Sequence, residues 1–148
     1  MLSNFFFLRD DGKNTTVYID INHNGILDTA LELIYKSKEA KVDAVKFQKR
    51  NLETIYGKEI LDNPNNQEWS FEYLIPILKE VELSKEDYSV IKRTCKKLKL
   101  DLIITPMDAD SVDFISKLKI DGIKIASADM TNFPLIKKCS ELNLPFII

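Results

Sequence analysis

The sequence predicts an α/β protein with a parallel sheet, and three observations lead to that prediction. Short apolar runs alternate along the chain with helical patterns, in the order β-α-β-α-β-α-β-α-β. The turns between them are mostly short and polar. Polar clusters stand at or near the C-terminal ends of the apolar runs, where parallel β/α proteins gather their functional groups. The four clusters are Asn22-His23-Asn24-Gly25, Val45-Lys46-Phe47-Gln48, Ile104-Thr105-Pro106 and Lys124-Ile125-Ala126-Ser127.

The first half of the chain is predicted to begin with a hairpin-like pair of strands. Residues 5–8 and 15–21 are apolar or β-branched, and an Asp-Gly turn signal lies between them. Residues 27–41 have apolar side chains spaced as on an amphipathic helix, and residues 43–48 form the next strand. Residues 49–70 show no clear period, so they are predicted to be an irregular loop that is functional or mobile.

The second half is predicted to repeat the strand–helix unit. A short helix over residues 71–81 is interrupted near Pro76, and the next helix opens at Ser84. Asp87 completes a capping box there, with Asp in place of the usual Glu. Strands are then predicted over 100–105, 122–127 and 145–148, and helices over 108–118 and 132–142.

Composition restricts the classes of protein that the chain can represent. With 148 residues, 45% of them hydrophobic, the chain suits one globular domain, 1–148. A net charge of −2 argues against a general nucleic-acid binder but allows an anionic small molecule. Neither Cys95 nor Cys139 belongs to a CxxC motif, so we expect a reduced, cytoplasmic setting without a disulfide. The N-terminal apolar run is too short to span a membrane, and no membrane partner is expected.

The length of the chain raises a question about its completeness. A (β/α)8 barrel needs about 250 residues, so this chain would hold roughly half of one. Its last apolar run has no helix after it, and an open half-barrel would expose strand edges. We therefore expect a truncated chain, unless the sheet is an open doubly wound one.

Two lysines within apolar strands indicate a bound anion. Lys46 and Gln48 share one face of their strand because side chains alternate with a period of two. A lysine buried there would be costly without an anionic partner, although an edge strand facing solvent is the alternative. Lys124 repeats the pattern between two isoleucines. Two lysines in neighbouring central strands would favour a phosphate or a carboxylate.

Other polar residues at the strand ends are candidates for the same site. The hydroxyls of Thr105 and Ser127 could complete a phosphate cradle, although for either residue taken alone a turn or helix-cap role is favoured. His23 is the only histidine, and it either packs a turn or contacts substrate. Asp20 and Asp129 are candidate catalytic carboxylates, with helix capping as the alternative for Asp129.

In their order and approximate spacing the four clusters resemble the N-acetylneuraminate (sialic acid) synthase family. The likeness runs from about residue 16 to the end of the chain, and it includes Thr131-Asn132 after the fourth cluster. Gln48-Lys49-Arg50 is similar to one branch of the family. Four motifs in register are a strong signal where one would be weak. The resemblance implies the N-terminal half, about five strands, of a (β/α)8 TIM barrel, without the C-terminal antifreeze-like domain of the family.

The resemblance also implies a reaction. Family members condense phosphoenolpyruvate with an N-acetylated amino sugar, such as N-acetylmannosamine or a related precursor, and release a nonulosonic acid and phosphate. They are transferases of carbohydrate biosynthesis. By resemblance, the phosphoenolpyruvate-binding positions are Lys46, Thr105, Lys124 and Ser127, and the site-lining positions are Asn22, His23 and Gln48. A divalent metal (Mn or Mg) and a homodimer are implied for the full-length enzyme. The metal ligands lie on later strands and not in this chain, so the fragment alone is expected to be inactive.

The sequence departs from the family pattern at two acidic positions. An ungapped match places Tyr18 where the family has a glutamate, so Asp20 on the same face is the candidate replacement. Ala128-Asp129 stands in place of Gly-Glu and keeps the acid. Two other interpretations stay open: a non-catalytic half-barrel that binds a phosphorylated small molecule, and a different phosphate-binding β/α barrel. The sequence does not distinguish the amino sugar, and precursors of legionaminic and pseudaminic acid belong to the same class.

Overall fold

A mixed sheet flanked by helices forms the centre of the structure. The computed structural model describes residues 5–8, 16–20, 22–63 and 71–148, with side chains described over 22–63 and 74–148. The strands are β1 (Phe5–Leu8), β2 (Thr16–Asp20), β3 (Ala44–Lys49), β4 (Asp101–Pro106), β5 (Gly122–Lys124) and β6 (Phe146–Ile147). The helices are α1 (Leu27–Glu39), α2 (Leu52–Asp62), α3 (Phe71–Glu80), α4 (Lys85–Leu98), α5 (Ala109–Leu118) and α6 (Phe133–Ser140).

The strands follow one another across the sheet in chain order, β1-β2-β3-β4-β5-β6. β1 pairs antiparallel with β2, which confirms the predicted hairpin-like start; its Asp-Gly turn signal lies outside the described residues. From β2 to β6 every pairing is parallel. In each case the chain adds the next strand beside the previous one and in the same direction. Repetition of this connection builds α/β sheets and barrels. The predicted parallel α/β architecture is therefore confirmed.

The two faces of the sheet differ in what covers them. On one face, Val45 and Phe47 of β3 belong to the main core, which the helices complete. The other face holds a small cluster in which Ala44, Ile103 and Ile147 meet. Because side chains alternate along a strand, Lys46 of β3 falls on the second face with Ala44.

Side-chain hydrogen bonds stabilise several helix ends, and the one at the start of α4 is predicted from the sequence. Ser84 and Asp87 form the reciprocal capping box at the start of α4. Asp108 and Asn132 cap α5 and α6 through their side-chain oxygens.

Cys95 on α4 is buried and unpaired, as is Cys139 on α6. None of the described helices is long and apolar enough to span a membrane.

The prediction of an irregular segment over residues 49–70 is wrong for its central part. Helix α2 occupies Leu52–Asp62 and begins at Asn51, whose side chain accepts a hydrogen bond from the Glu53 amide (3.1 Å). Gly57 departs from helical geometry (φ 72°, ψ 157°) and kinks the helix. That kink breaks the apolar period, which explains why the sequence pattern conceals this helix. Residues 64–70 lie outside the described part.

Helix α3 is also more continuous than predicted, because it runs through Pro76 without interruption. A proline in a helix removes one backbone hydrogen bond. Burial of Ile75 and Leu78 on either side offsets that loss.

Two further corrections concern the strands that carry the lysines. β5 ends at Lys124 rather than at 127, because a 3-10 turn occupies Ser127–Asp129. Lys46 and Lys124 are not in neighbouring strands, since the sheet follows chain order and β4 lies between β3 and β5.

Candidate functional site

Three of the predicted anion-binding residues, Lys46, Thr105 and Lys124, lie on one face of three adjacent strands toward their C-terminal ends. Gln48 of β3 is the register partner of Thr105 on β4. Ile103 pairs with both Lys46 on β3 and Gly122 on β5, so Lys124 lies two residues along β5, level with Thr105. β3 and β5 are roughly 10 Å apart across the sheet, which is two strand spacings. Two long lysine side chains therefore flank one threonine on the face opposite the helices.

Thr105 has a buried hydroxyl that lacks a hydrogen-bond partner within the described residues. The residue is only 2% exposed. An unsatisfied buried hydroxyl costs about 1–3 kcal/mol, so such a group calls for an explanation. A bound ligand oxygen beside it would satisfy the hydroxyl.

Lys46 and Lys124 differ in their surroundings. Lys46 is 3% exposed, whereas Lys124 is partly buried and its Nζ donates to the Ile125 carbonyl (3.2 Å). A buried ammonium is stable only where anionic or hydrogen-bonding groups surround it. By strand register, both lysines lie on the face of the sheet that carries Thr105.

The two candidate catalytic carboxylates occupy different places. Asp129 ends the 3-10 turn and accepts a hydrogen bond from the Asn132 side chain (3.1 Å) at the start of α6. Asn132 is itself the N-cap of α6, so Asp129 contacts the capping residue and does not cap the helix, and a catalytic role for Asp129 stays a prediction. Ser127 opens the same turn and is exposed. The backbone of Asp20 is in register with Lys46, and its side chain lies outside the described part.

His23 packs the turn between β2 and α1. Its Nδ1 accepts a hydrogen bond from the Gly25 amide (3.0 Å), and its ring stacks on Phe47, with centroids 5.8 Å apart. Phe47 belongs to the helix-covered face, so His23 lies behind β3 rather than above Lys46. The turn-packing role is present, and substrate contacts by His23 and by the exposed Asn22 stay predictions.

A measurable pH dependence follows from the position of His23. Burial, and then the nearby Arg50 charge, lower the pKa of His23 below its usual 6.5. As the pH falls below 6.5, the unfolded chain binds a proton that the folded chain does not, so stability decreases. Urea unfolding at pH 7.5 and 5.5 should show this loss, and His23→Asn should reduce it. His23 is the only histidine, so an equal pH slope in the variant would contradict the assignment.

Sequence reasoning missed a cluster behind the end of β3. Lys49 is 9% exposed and lies on the helix-covered face, where its Nζ pairs with the Glu82 carboxylate. The same Nζ lies 5.6 Å from the centre of the Tyr88 ring and 6.0 Å from that of Phe114, which favours a cation. The sequence does contain a signal for this position. Side chains alternate along a strand, so Lys49 lies on the same apolar face as Val45 and Phe47.

This cluster also holds the backbone of the strand end. The Tyr88 hydroxyl donates to the Gln48 carbonyl (2.5 Å), and burial raises the pKa of Tyr88 well above its usual value. Burial also raises the pKa of Glu82, although Lys49 and Arg50 oppose that shift. On its helix-covered side, the C-terminal end of β3 is therefore held by the Tyr88 hydrogen bond and by the ion pair of Lys49 with Glu82.

Asp108 ties the exit of β3 to α5. Its carboxylate accepts from the backbone amide of Asn51 (2.6 Å) and from the backbone amide and hydroxyl of Ser111 (both 2.7 Å).

Among the side chains described, no three His, Cys, Asp or Glu residues are grouped so that they could hold a metal ion.

Comparisons with known sequences found a matching family model and several relatives. A model of the family described as the NeuB family matches residues 33–148. The chain is 38% identical over 128 residues to N-acetylneuraminate-9-phosphate synthase of Drosophila melanogaster, covering 86% of this chain and 34% of that protein. It is 34% identical over 149 residues to N,N'-diacetyllegionaminic acid synthase of Legionella pneumophila, covering 95% of this chain and 41% of that protein. The chain thus spans well under half of the length of these curated relatives.

Solved structures share the fold. The N-acetylneuraminic acid synthetase of Leptospira borgpetersenii superposes with a TM-score of 0.73 over 96% of this chain and 48% of that one, at 22% identity. A putative spore coat polysaccharide biosynthesis protein E of Chromobacterium violaceum superposes with a TM-score of 0.73 over 87% of this chain and 38% of that one, at 26% identity. A phospho-2-dehydro-3-deoxyheptonate aldolase (DAHP synthase) of Thermotoga maritima superposes with a TM-score of 0.61 over 96% of this chain and 36% of that one, at 14% identity, which supports the fold alone.

Proposed function

The chain belongs to the NeuB family, and from that premise we propose that it supplies the N-terminal half of the (β/α)8 barrel of a sialic-acid-type synthase. Its relatives include synthases of N-acetylneuraminate 9-phosphate, legionaminic acid and pseudaminic acid, so sugar biosynthesis is their common role. The five parallel strands in chain order are compatible with half of such a barrel.

The proposed reaction joins phosphoenolpyruvate to the open-chain aldehyde of an N-acetylated amino sugar. The C3 carbon of phosphoenolpyruvate attacks the aldehyde carbon, water adds to the resulting oxocarbenium ion, and phosphate leaves. The contribution of this chain is to bind and orient phosphoenolpyruvate and to offset its negative charge. Lys46, Thr105, Lys124 and Ser127 take that role, and Asp20 and Asp129 are the candidate carboxylates. The divalent metal expected for the full-length enzyme would be held by residues outside this chain.

The observation that carries this proposal is the Thr105 hydroxyl. It is buried, it lacks a partner among the described residues, and it lies level with Lys124 and one strand away from Lys46. A phosphate or carboxylate oxygen accepts hydrogen bonds from a hydroxyl and attracts ammonium groups at the same time. One anionic ligand would thus satisfy the hydroxyl and lie close to both lysines.

Thr105→Val is the test, because it should change stability and binding in opposite directions. Valine has nearly the shape of threonine and removes the unsatisfied hydroxyl, so unfolding should cost about 1 kcal/mol more. Loss of one hydrogen bond to a charged ligand should weaken phosphoenolpyruvate binding about tenfold. Calorimetric titration with phosphoenolpyruvate and urea unfolding measure the two effects.

Thr94→Val is the matched control. The Thr94 hydroxyl donates to the Val90 carbonyl within α4 (3.0 Å), so the same change there should not weaken phosphoenolpyruvate binding. Equal affinity in wild type and Thr105→Val, or no binding by the folded wild-type chain, would contradict a phosphoenolpyruvate site in this half. Binding of many phosphorylated small molecules with equal affinity would favour the non-catalytic half-barrel.

A further inference from the structure

A cavity of about 570 Å³ opens at the N-terminal ends of β4 and β5. This volume falls within the usual range of small-molecule sites, roughly 300–1,000 Å³. Thr105 lies four residues along β4 from the start of the strand at Asp101, which is about 13 Å away, so the cavity is separate from the candidate site. The charged residues that line the cavity are Lys92, Lys96, Lys99, Lys119, Asp101 and Asp121.

Positive charge exceeds negative charge around this cavity. Lys92, Lys96 and Lys99 follow one another at spacings of four and three residues, so they share one face of α4 and its end. Lys119 faces them from the end of α5. Within the described part of the chain, Lys92 is the only one of the four in an ion pair, in which its Nζ donates to the Asp121 carboxylate (2.5 Å). Four ammonium groups and two carboxylates thus leave an excess of two positive charges.

The helix ends leave these ammonium groups available for a ligand. Lys99 (φ 54°) and Lys119 (φ 55°) are the left-handed residues that follow α4 and α5. The Leu100 amide donates to the Cys95 carbonyl (3.0 Å). The Lys99 amide donates to the Lys96 carbonyl (3.2 Å). Because backbone amides already satisfy these carbonyls at the end of α4, the lysine side chains are not needed to cap them.

We propose that this cavity binds a diphosphate group, either as inorganic pyrophosphate or as part of a nucleoside diphosphate. Two linked tetrahedral anions contact lysines from α4 and from α5 at the same time, and they offset the repulsion between those lysines. Leu100 and Leu118 add an apolar wall on which a nucleoside would pack. The proposal does not rest on the proposed function, because none of these residues is assigned to phosphoenolpyruvate.

The first experiment locates the ligand in the ¹⁵N-labelled 148-residue chain. At low ionic strength, sodium pyrophosphate should shift the backbone amide signals of residues 99–101 and 119–121 at lower concentrations than it shifts the signal of Thr105. The affinity should fall as salt is added, since the lysines are largely exposed. A stronger response at Thr105, or no response at either place, would overturn the proposal.

The second experiment removes two of the charges without straining the backbone. Glycine suits the left-handed conformation of Lys99 and Lys119, so the double variant Lys99→Gly, Lys119→Gly should unfold at about the same urea concentration as wild type. Its affinity for pyrophosphate, measured by calorimetric titration, should be about tenfold lower. Unchanged affinity in the folded variant would overturn the proposal.

Lys38→Gln combined with Lys41→Gly is the matched control, because it removes the same amount of charge. Lys41 is also left-handed (φ 60°), and the same order of lysine, apolar residue and aspartate begins there as at Lys99 and Lys119. Neither Lys38 nor Lys41 lines the cavity. The control should therefore keep an affinity within about twofold of wild type. An equal loss in both double variants would indicate a response to net charge alone, which would also overturn the proposal.

A comparison of ligands separates the two sources of the diphosphate group. Tighter binding of ADP than of pyrophosphate would support a nucleoside diphosphate, and equal affinity would support inorganic pyrophosphate. Orthophosphate should bind about tenfold more weakly than either, because it reaches the lysines of one helix end only. Equal affinity for orthophosphate would overturn the diphosphate assignment. Failure of the chain to bind phosphoenolpyruvate would refute the proposed function and leave this test unaffected.

Discussion

Replacing Lys49 with methionine is expected to lower the free energy of unfolding by about 3 kcal/mol, the low end for breaking a buried ion pair. The reason is that Glu82 would remain in a poorly solvated place without its closest cation. The side chains of Lys49 and Glu82 are only 11% and 22% exposed. Arg50, 3.9 Å from Glu82, compensates only in part. Urea unfolding at neutral pH measures the loss.

Two further variants separate loss of the pair from loss of a lysine in general. Lys36→Met breaks the exposed pair with Glu39, whose side chains are 62% and 67% exposed, and should change stability little. The double variant Lys49→Met, Glu82→Leu should recover much of the loss, because no buried charge is left without a partner. Equal losses in Lys36→Met and Lys49→Met would contradict the buried-pair interpretation.

Gly25→Ala is expected to be the second strongly destabilising change. Gly25 has φ +76°, a conformation that residues with a Cβ rarely adopt. A Cβ there would also lie 2.1 Å from the Glu80 carbonyl oxygen and 3.0 Å from the Val81 Cα, so the end of α3 would have to move. Strain and overlap together should cost about 3 kcal/mol or more. Thermal and urea unfolding measure this cost.

Gly57→Ala is the matched control for this prediction. Gly57 also has a positive φ (+72°), but nothing lies within 4 Å of a Cβ added there. Its replacement should therefore bear the conformational cost alone, and the overlap at Gly25 should add about 1–3 kcal/mol. Similar losses at the two glycines would show that the contact between the Gly25 turn and α3 is not a close one.

Much of the fold could be predicted from the chain because its signals are local. Period-two and helical patterns identified five parallel strands, and Ser84 with Asp87 marked the start of α4. The local rules failed where a glycine interrupts a helix, as at Gly57 in α2. They also failed at Pro76, where burial of neighbouring side chains outweighs the lost hydrogen bond.

The candidate site, like the fold, could be predicted where its signals are local. Lys46 and Thr105 were chosen because polar residues at the ends of apolar strands meet at one edge of a parallel sheet, and both are buried there. The environment of His23 was not predictable, because stacking on Phe47 involves a residue 24 positions along the chain. The prediction that Lys46 and Lys124 lie in neighbouring strands was wrong, because the sheet keeps chain order and β4 separates the two strands.

The sequence by itself determined the parallel α/β order, the family and the edge of the sheet where polar groups gather, because periodicity and motif spacing are encoded over short stretches. Only the tertiary structure decided which residues support that edge. Lys49 and Glu82 are 33 residues apart, and Tyr88 reaches the Gln48 carbonyl across 40. Such partners become neighbours only when the helices pack on the sheet, and burial then gives the pairing of their charges its energetic importance.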